Sequence, residues 1–346
     1  MNPFIVRGQG IFFFKPGTPF YLYNEDQTDG LLISDEKLYR KTEVLIDKPG
    51  IVTWFSLDAQ NQIVFAGNGE ARIETAIYSY QFEKTMKPFL ESIVMCTTPE
   101  KMIKDPITRK VPLRVKATCT LHEIAHNTYM PKSHLSFSSQ RLYDCIYSTT
   151  LNTPDFGSFS KAIDYSIVTP GCWCHEKLKE KASEFGKPNI NETYLRITLG
   201  RNNGESPGIP YVMEIWPVDH YSPIHSHGNS EAIIHVLRGK INVGLYASLQ
   251  SPTPFAITEF KKGDITWIND SLNQTHRLEN KGRKTCVTLQ CYTYTDTDNK
   301  HYDYFDYIEQ SGKVKQYTPD SDMDYIEFKK QMQKEWSEIG LFKKMF

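Results

Sequence analysis

The sequence predicts a mainly β protein: a small closed β-barrel domain with a helical lead-in, preceded by an extra β-rich domain. Three observations carry this reading. Aromatic residues are abundant, 20 Tyr and 19 Phe in 346 residues, a composition suited to pleated, half-buried surfaces. The first hundred residues break into short apolar runs separated by turn signals. Strand-like patterning then returns from Tyr194 to about Tyr307, after a stretch with helical periodicity.

In chain order, "GIFFF", "PFYLY", "GIVTWFSL", "QIVFAG" and "ARIETAIYSY" are broken by Pro-Gly, Asp-Gly and Asn-Gly pairs. They predict a sandwich-like module over residues 1–130, of unknown role and unknown partner. The polar "TTPEKMIKDPITRKVP" from residue 97 reads as a linker or long loop near 97–116, and "LRVKATC" as a last strand of that module. From Leu135 to about Glu184, "SSQRLYDCIYSTTL" and "HEKLKEKASEF" repeat apolar residues at threes and fours, and the serines suit a helix cap. The barrel domain is expected over residues 131–346. It ends in an amphipathic helix with Tyr325, Phe328, Met332, Trp336 and Ile339 along one stripe, predicted to pack on the barrel exterior.

Charge and composition exclude several classes. Lys+Arg (40) and Asp+Glu (41) nearly cancel, and no basic block stands out, so neither nucleic acid nor an acidic membrane surface is an expected partner. No apolar run reaches the length of a bilayer span, and the N-terminus lacks the features of a signal peptide. Seven irregularly spaced cysteines read as reduced thiols of a cytoplasmic protein.

The chemistry concentrates in "IHSHGNSEAIIHVLRG", residues 224–239. On a strand, His225 and His227 point to one face, so both imidazoles can reach one ion. A third ligand must come from another strand. "KKGDITWINDSLNQTHRLEN", residues 261–280, supplies His276, thirteen residues after Gly263. The first motif with its closing glycine, followed by Gly-Asp…His…Asn, is the two-motif signature of a cupin barrel, an antiparallel β-structure with its site inside. The usual cupin carboxylate falls on Ala232 when counted from either His227 or Gly239. Glu231 is one position off, and a one-residue offset turns a strand side chain to the opposite face; some cupins tolerate the shorter gap, so Glu231 as a further ligand stays open.

"IHSHGNSEAIIHVLRGKI", "WINDSLNQTHRLEN" and the upstream "YLRITLGRNNG" together resemble the cysteine dioxygenase family of non-haem iron cupins over roughly residues 135–310. The resemblance implies a mononuclear Fe(II) held by His225, His227 and His276. It further implies a carboxylate-binding Arg196 with Tyr194 beside it, an active-site Tyr292, oxidation of L-cysteine to cysteine sulfinic acid by O₂, and a monomer. Three neutral histidines on one face of an octahedral ion leave three positions, the number that a chelating thiol and O₂ require together. Two departures bear on substrate. Gln290 stands where the family has a histidine that orients the tyrosine, and Ala232 stands where animal members carry a cysteine cross-linked to it. Gln290 therefore joins the substrate-binding candidates. Another small thiol such as 3-mercaptopropionate stays open, as does a non-catalytic metal-binding cupin acting as a sensor.

Two other motifs compete. "HEIAH", residues 122–126, matches the H-E-x-x-H zinc-protease pattern, with Glu123 as general base. The strand-like run before it, Pro131 after it and the poor spacing of His134 as a third ligand all weigh against that use. "CWCH", residues 172–175, has cysteines too close for the usual zinc spacing and reads as packing at a helix start. His220 and His235 read as structural.

Overall fold

A computed structural model describes residues 2–3, 7–34, 37–47, 50–200, 211–228, 230–294 and 304–342. Residues 201–204 and Asn229, which belong to the quoted motifs, lie outside these. The chain divides into two compact units, Met1–Val111 and Pro112–Phe346.

The first unit is a β-sandwich. One sheet runs in the order Asn2–Pro3, Ile93–Cys96, Phe20–Asn24, Gly30–Ser34, Lys37–Arg40, Glu43–Asp47. The other runs Lys101–Ile103, Gln9–Phe13, Trp54–Asp58, Ile63–Gly67, Ala76–Gln81. Alternation explains the layering: Phe20 and Leu22 turn inward from one sheet and meet Phe12, Phe55 and Leu57 of the other. The rings of Phe12 and Phe20 lie 5.7 Å apart across the two sheets. The expected linker is partly structured, since Lys101–Ile103 pairs with Gln9–Phe13 and Ile107 is buried.

The strand read from "LRVKATC" belongs to the second unit. Only Val115–Lys116 is extended, pairing in parallel with Met130–Pro131. Arg114 forms an ion pair with Asp264 at 3.3 Å, and Trp267 donates its indole N–H to the Pro112 carbonyl at 3.0 Å. These long-range bonds explain why the division falls upstream of the expected boundary at 130/131.

The second unit holds two six-stranded sheets. The first runs Ile265–Ile268, Ser230–Arg238, Cys286–Tyr294, Tyr211–Trp216, Leu195–Gly200, Met323–Asp324. The second runs Ala256–Lys261, Lys240–Leu245, Thr275–Glu279, His225–Ser226, Phe305–Ile308, Val314–Tyr317. Their inward faces share a core that includes Trp216 and Val236 from one sheet and Ile241, Phe260 and Leu278 from the other.

Helices Phe137–Ile146, Phe159–Val168 and Trp173–Glu180 form the lead-in. Ser136 caps the first by accepting from the Ser139 N–H at 3.0 Å. The closing helix Tyr325–Phe342 buries Phe328 and Met332, as its stripe requires. Its aromatic partners are helical, however: Phe328 meets Phe159 and Trp173, with ring centroids 5.9 and 5.4 Å away. The helix thus packs on the lead-in and also directly on the barrel edge, at Leu195–Gly200 and Met323–Asp324. Among the described residues, no helix is long and apolar enough to cross a membrane.

Phe12 is fully buried at the heart of the sandwich. Phe12→Ala is expected to lower the stability of the first unit by about 3–5 kcal/mol, read from its transition in a urea titration followed by circular dichroism.

Candidate metal centre

The three expected histidines converge. The ligand atoms of His225, His227 and His276 all lie within 4.8 Å of one another, and no other such group of three occurs among the described residues. Backbone pairing explains the meeting. His225 sits directly opposite His276 in the antiparallel ladder between His225–Ser226 and Thr275–Glu279. His227 follows two positions on, and its backbone N–H is bonded to the Gln274 carbonyl at 3.3 Å.

Local turns aim the rings. Asn269 accepts from the N–H groups of Ser271 and Leu272, closing the "INDS" turn. Asn273 adopts a left-handed φ of 66°, which asparagine tolerates. Its side chain is tied to the Trp267 carbonyl, and its own carbonyl faces His276 Nδ1 at 2.8 Å. His225 Nδ1 faces the Pro223 carbonyl at 3.0 Å. A ring nitrogen next to a carbonyl acts as the N–H donor, so Nε2 of both rings carries the free lone pair. Burial holds His225 well below the ordinary histidine pKa and His276 down to about 4, so both rings are neutral near pH 7. Three neutral imidazoles fit a first-row transition metal such as Fe, Zn, Cu or Ni.

Glu231 faces away from this group. Its carboxylate accepts from Ser136 Oγ at 2.7 Å and Ser139 Oγ at 3.3 Å, on the helical lead-in. Ala232 turns inward and packs with Val212, Ile234, Ile268 and Tyr292. Gly239 ends this strand with φ +73°, where an added Cβ would lie 2.7 Å from the Thr285 carbonyl oxygen.

Tyr292 stacks on His227, with ring centroids 5.3 Å apart. Its hydroxyl donates to Gln290 Oε1, and Gln290 Nε2 donates to Glu214. Glu214 in turn accepts from Arg196 Nη1 at 2.8 Å. Tyr194 lies on the same side, stacked on Trp216 at 4.3 Å. Arg196, Gln290 and Tyr292 are thus linked through Glu214, which the sequence alone did not single out. Phe305 was also missed; its ring lies 4.7 Å from that of His225. Beside the group is a small, mostly apolar cavity of about 40 Å³, reaching Trp267, Phe260, Leu278, His276, Gln290 and Tyr292.

An inward-facing three-histidine group between two six-stranded, mostly antiparallel sheets defines the second unit. It has the cupin fold. No family model matches the chain. Among solved structures, the chain is similar to an uncharacterized protein with a double-stranded β-helix domain from Klebsiella pneumoniae. That match has 16% identity over 33% of this chain and 83% of the other, with a TM-score of 0.25. It is also similar to the cupin domain of an XRE-family transcriptional regulator from Enterobacter cloacae, at 10% identity over 30% and 97%, TM-score 0.25. A third likeness is to an oxalate oxidase in complex with the substrate analogue glycolate, at 18% identity over 30% and 52%, TM-score 0.24. At such scores the likenesses bear on no residue of the cupin site.

The competing motifs are accounted for locally. "HEIAH" supplies the five-residue helix Leu121–Ala125, where Glu123 forms a capping box with Thr120 and an ion pair with Lys116. His122 and His126 are exposed, and no third ligand joins them among the described residues. Cys172 is the N-cap of Trp173–Glu180 and Cys174 is buried beneath it. His220 and His235 are bonded through Nδ1 to the carbonyls of Thr193 and Ile146, each at 2.9 Å.

His276→Ala is expected to abolish stoichiometric metal binding in elemental analysis, whereas Glu231→Gln should leave it intact and lower stability by about 1–3 kcal/mol. Burial also lowers the pKa values of His220 and His235. These four histidines are therefore neutral when folded and take up protons on unfolding. The metal-free protein should lose stability as pH falls below about 6.5, with the His276 contribution fading out near 4. Urea midpoints measured across that window check the slope.

Proposed function

We propose that the second unit is a non-haem Fe(II) thiol dioxygenase, converting a small thiol to its sulfinic acid: RSH + O₂ → RSO₂H. The observation that carries this reading is the three-histidine group, buried at His225 and His276 and half-buried at His227, with Tyr292 stacked on His227 and no carboxylate joining the ligand cluster among the described residues. His225, His227 and His276 would hold the ion. Iron in that position supplies a Lewis acid that favours the thiolate and the redox chemistry that activates O₂.

The chain's own side chains supply orientation. Tyr292 is held by stacking on His227 and by its bond to Gln290, and would orient substrate bound at the ion. Trp267, Phe260 and Leu278 keep the adjoining cavity apolar, which limits competing water. L-cysteine is the substrate implied by the sequence resemblance, and 3-mercaptopropionate is its runner-up. For both, Arg196 would be the carboxylate clamp, and its pairing with Glu214 bears on that choice of thiol, not on the reaction. The seven free cysteines support a reducing, cytoplasmic setting. The proposed partners are a small thiol and O₂ only, taken by a monomer.

Purified without oxygen, the protein should contain about one iron per chain, and O₂ uptake should match sulfinate formed one to one. Tyr292→Phe should retain the metal while lowering kcat by roughly a hundredfold. Absence of bound iron, together with no O₂ uptake on any small thiol, refutes the reading.

A further inference from the structure

Arg196 does not reach this site as a free cation. It lies directly across the ladder from Glu214, in the pairing of Leu195–Gly200 with Tyr211–Trp216. The two are 6% and 4% exposed, and they form an ion pair at 2.8 Å. Burial is the largest single influence on Arg196 and opposes its charge, but Glu214 together with Tyr292, Tyr194 and Tyr317 outweighs it and raises the guanidinium above its ordinary pKa. Both Glu214 oxygens accept from N–H donors, Arg196 Nη1 and Gln290 Nε2; burial pushes the carboxyl above its ordinary pKa, and Arg196, Lys181 and Gln290 pull it back toward the ionised form.

Among the described residues, the neighbouring cation is already paired. Behind Arg196, Lys181 is committed to Asp322 at 3.0 Å and to Glu184 at 3.3 Å. The Arg196 backbone N–H is bonded to Asp322 at 2.7 Å. Two cations here meet three carboxylates. A carboxylate brought into this region would be desolvated beside an arginine already neutralised, next to an excess of negative charge. An ammonium has acceptors instead. A carboxylate has more lone-pair sites than the two bonds that Glu214 accepts here.

From this charge arrangement we infer that Glu214 sets the substrate class: the site selects small aminothiols that lack a carboxylate. The inference rests on the thiol dioxygenase reading for its reaction and on the Arg196–Glu214 pair for its selectivity. Under it, Glu214 is a specificity residue acting through Arg196, and L-cysteine is a poorer ligand than its decarboxylated counterpart.

Anaerobic calorimetry on the Fe(II)-loaded full chain, with cysteamine, L-cysteine and 3-mercaptopropionate as probes, tests this without turnover. Cysteamine should bind tightest and 3-mercaptopropionate weakest, with about tenfold or more between them, equivalent to about 1.4 kcal/mol. Glu214→Gln should release Arg196, tighten 3-mercaptopropionate about tenfold and weaken cysteamine, reversing the order. A carboxylate thiol that binds the wild type as tightly as cysteamine overturns the inference, as does binding of none of the three. That wild-type comparison decides the matter even if the variant fails to fold. An oxygen electrode separates the two ideas. If the binding order holds without O₂ uptake on any thiol, the selectivity stands and the dioxygenase reading falls. If 3-mercaptopropionate binds tightest and is oxidised, the reverse is true.

Discussion

The register that places Ala232 opposite Tyr292, between Ser230–Arg238 and Cys286–Tyr294, governs the rest of the cupin unit. Side chains alternate along a strand, so one pairing assigns every neighbour to a face. Ala232, Ile234, Val236, Thr288, Gln290 and Tyr292 turn inward. Glu231, His235 and Cys291 turn toward the lead-in, where they bond Ser136, Ser139, Ile146 and Leu142. Tyr211–Trp216 continues the pattern, pairing Glu214 with Thr288. The same parity that clears the carboxylate seat at Ala232 thus delivers Glu214 to the interior.

Much of the centre was legible from sequence because strand alternation is local. His225 and His227 share a parity, and the offset of Glu231 from the two anchors foretold its outward turn. The convergence of His276 came from motif spacing, and the ladder that sets it opposite His225 bears this out. The sandwich could be read from turn-punctuated apolar runs, although Gly30–Ser34, Lys37–Arg40 and Glu43–Asp47 escaped notice, their mixed polarity hiding one buried face.

What escaped depended on contacts distant in sequence. The Arg114–Asp264 pair and the Trp267–Pro112 bond tie residues 112–116 to the second unit across about 150 positions, beyond any local composition signal. Phe305 joins His225 through a strand pairing that no motif announces. Glu214 did leave a trace. In "YVMEIW" it is the one charged residue in an otherwise apolar strand, and it shares parity with Val212 and Trp216, which are buried. A carboxylate at an inward position must find a cation or a donor, and Arg196 lay one strand away.

A buried ion pair is a weak source of stability, because the desolvation of both charges offsets most of their attraction, and apolar residues of similar size often do as well. The Arg196–Glu214 pair lies within a barrel whose neighbouring layers are filled by Trp216, Val236, Ile241 and Phe260, side chains that need no such compensation. Its value is therefore directional. Four polar groups contributed by three adjacent strands, Arg196, Glu214, Gln290 and Tyr292, form one continuous hydrogen-bonded chain, and each link fixes which atom donates and which accepts. Removal of any one leaves a buried neighbour unsatisfied. The polarity that the chain presents beside the histidines is thus a property of the whole network, and Glu214, at its centre, fixes the sign.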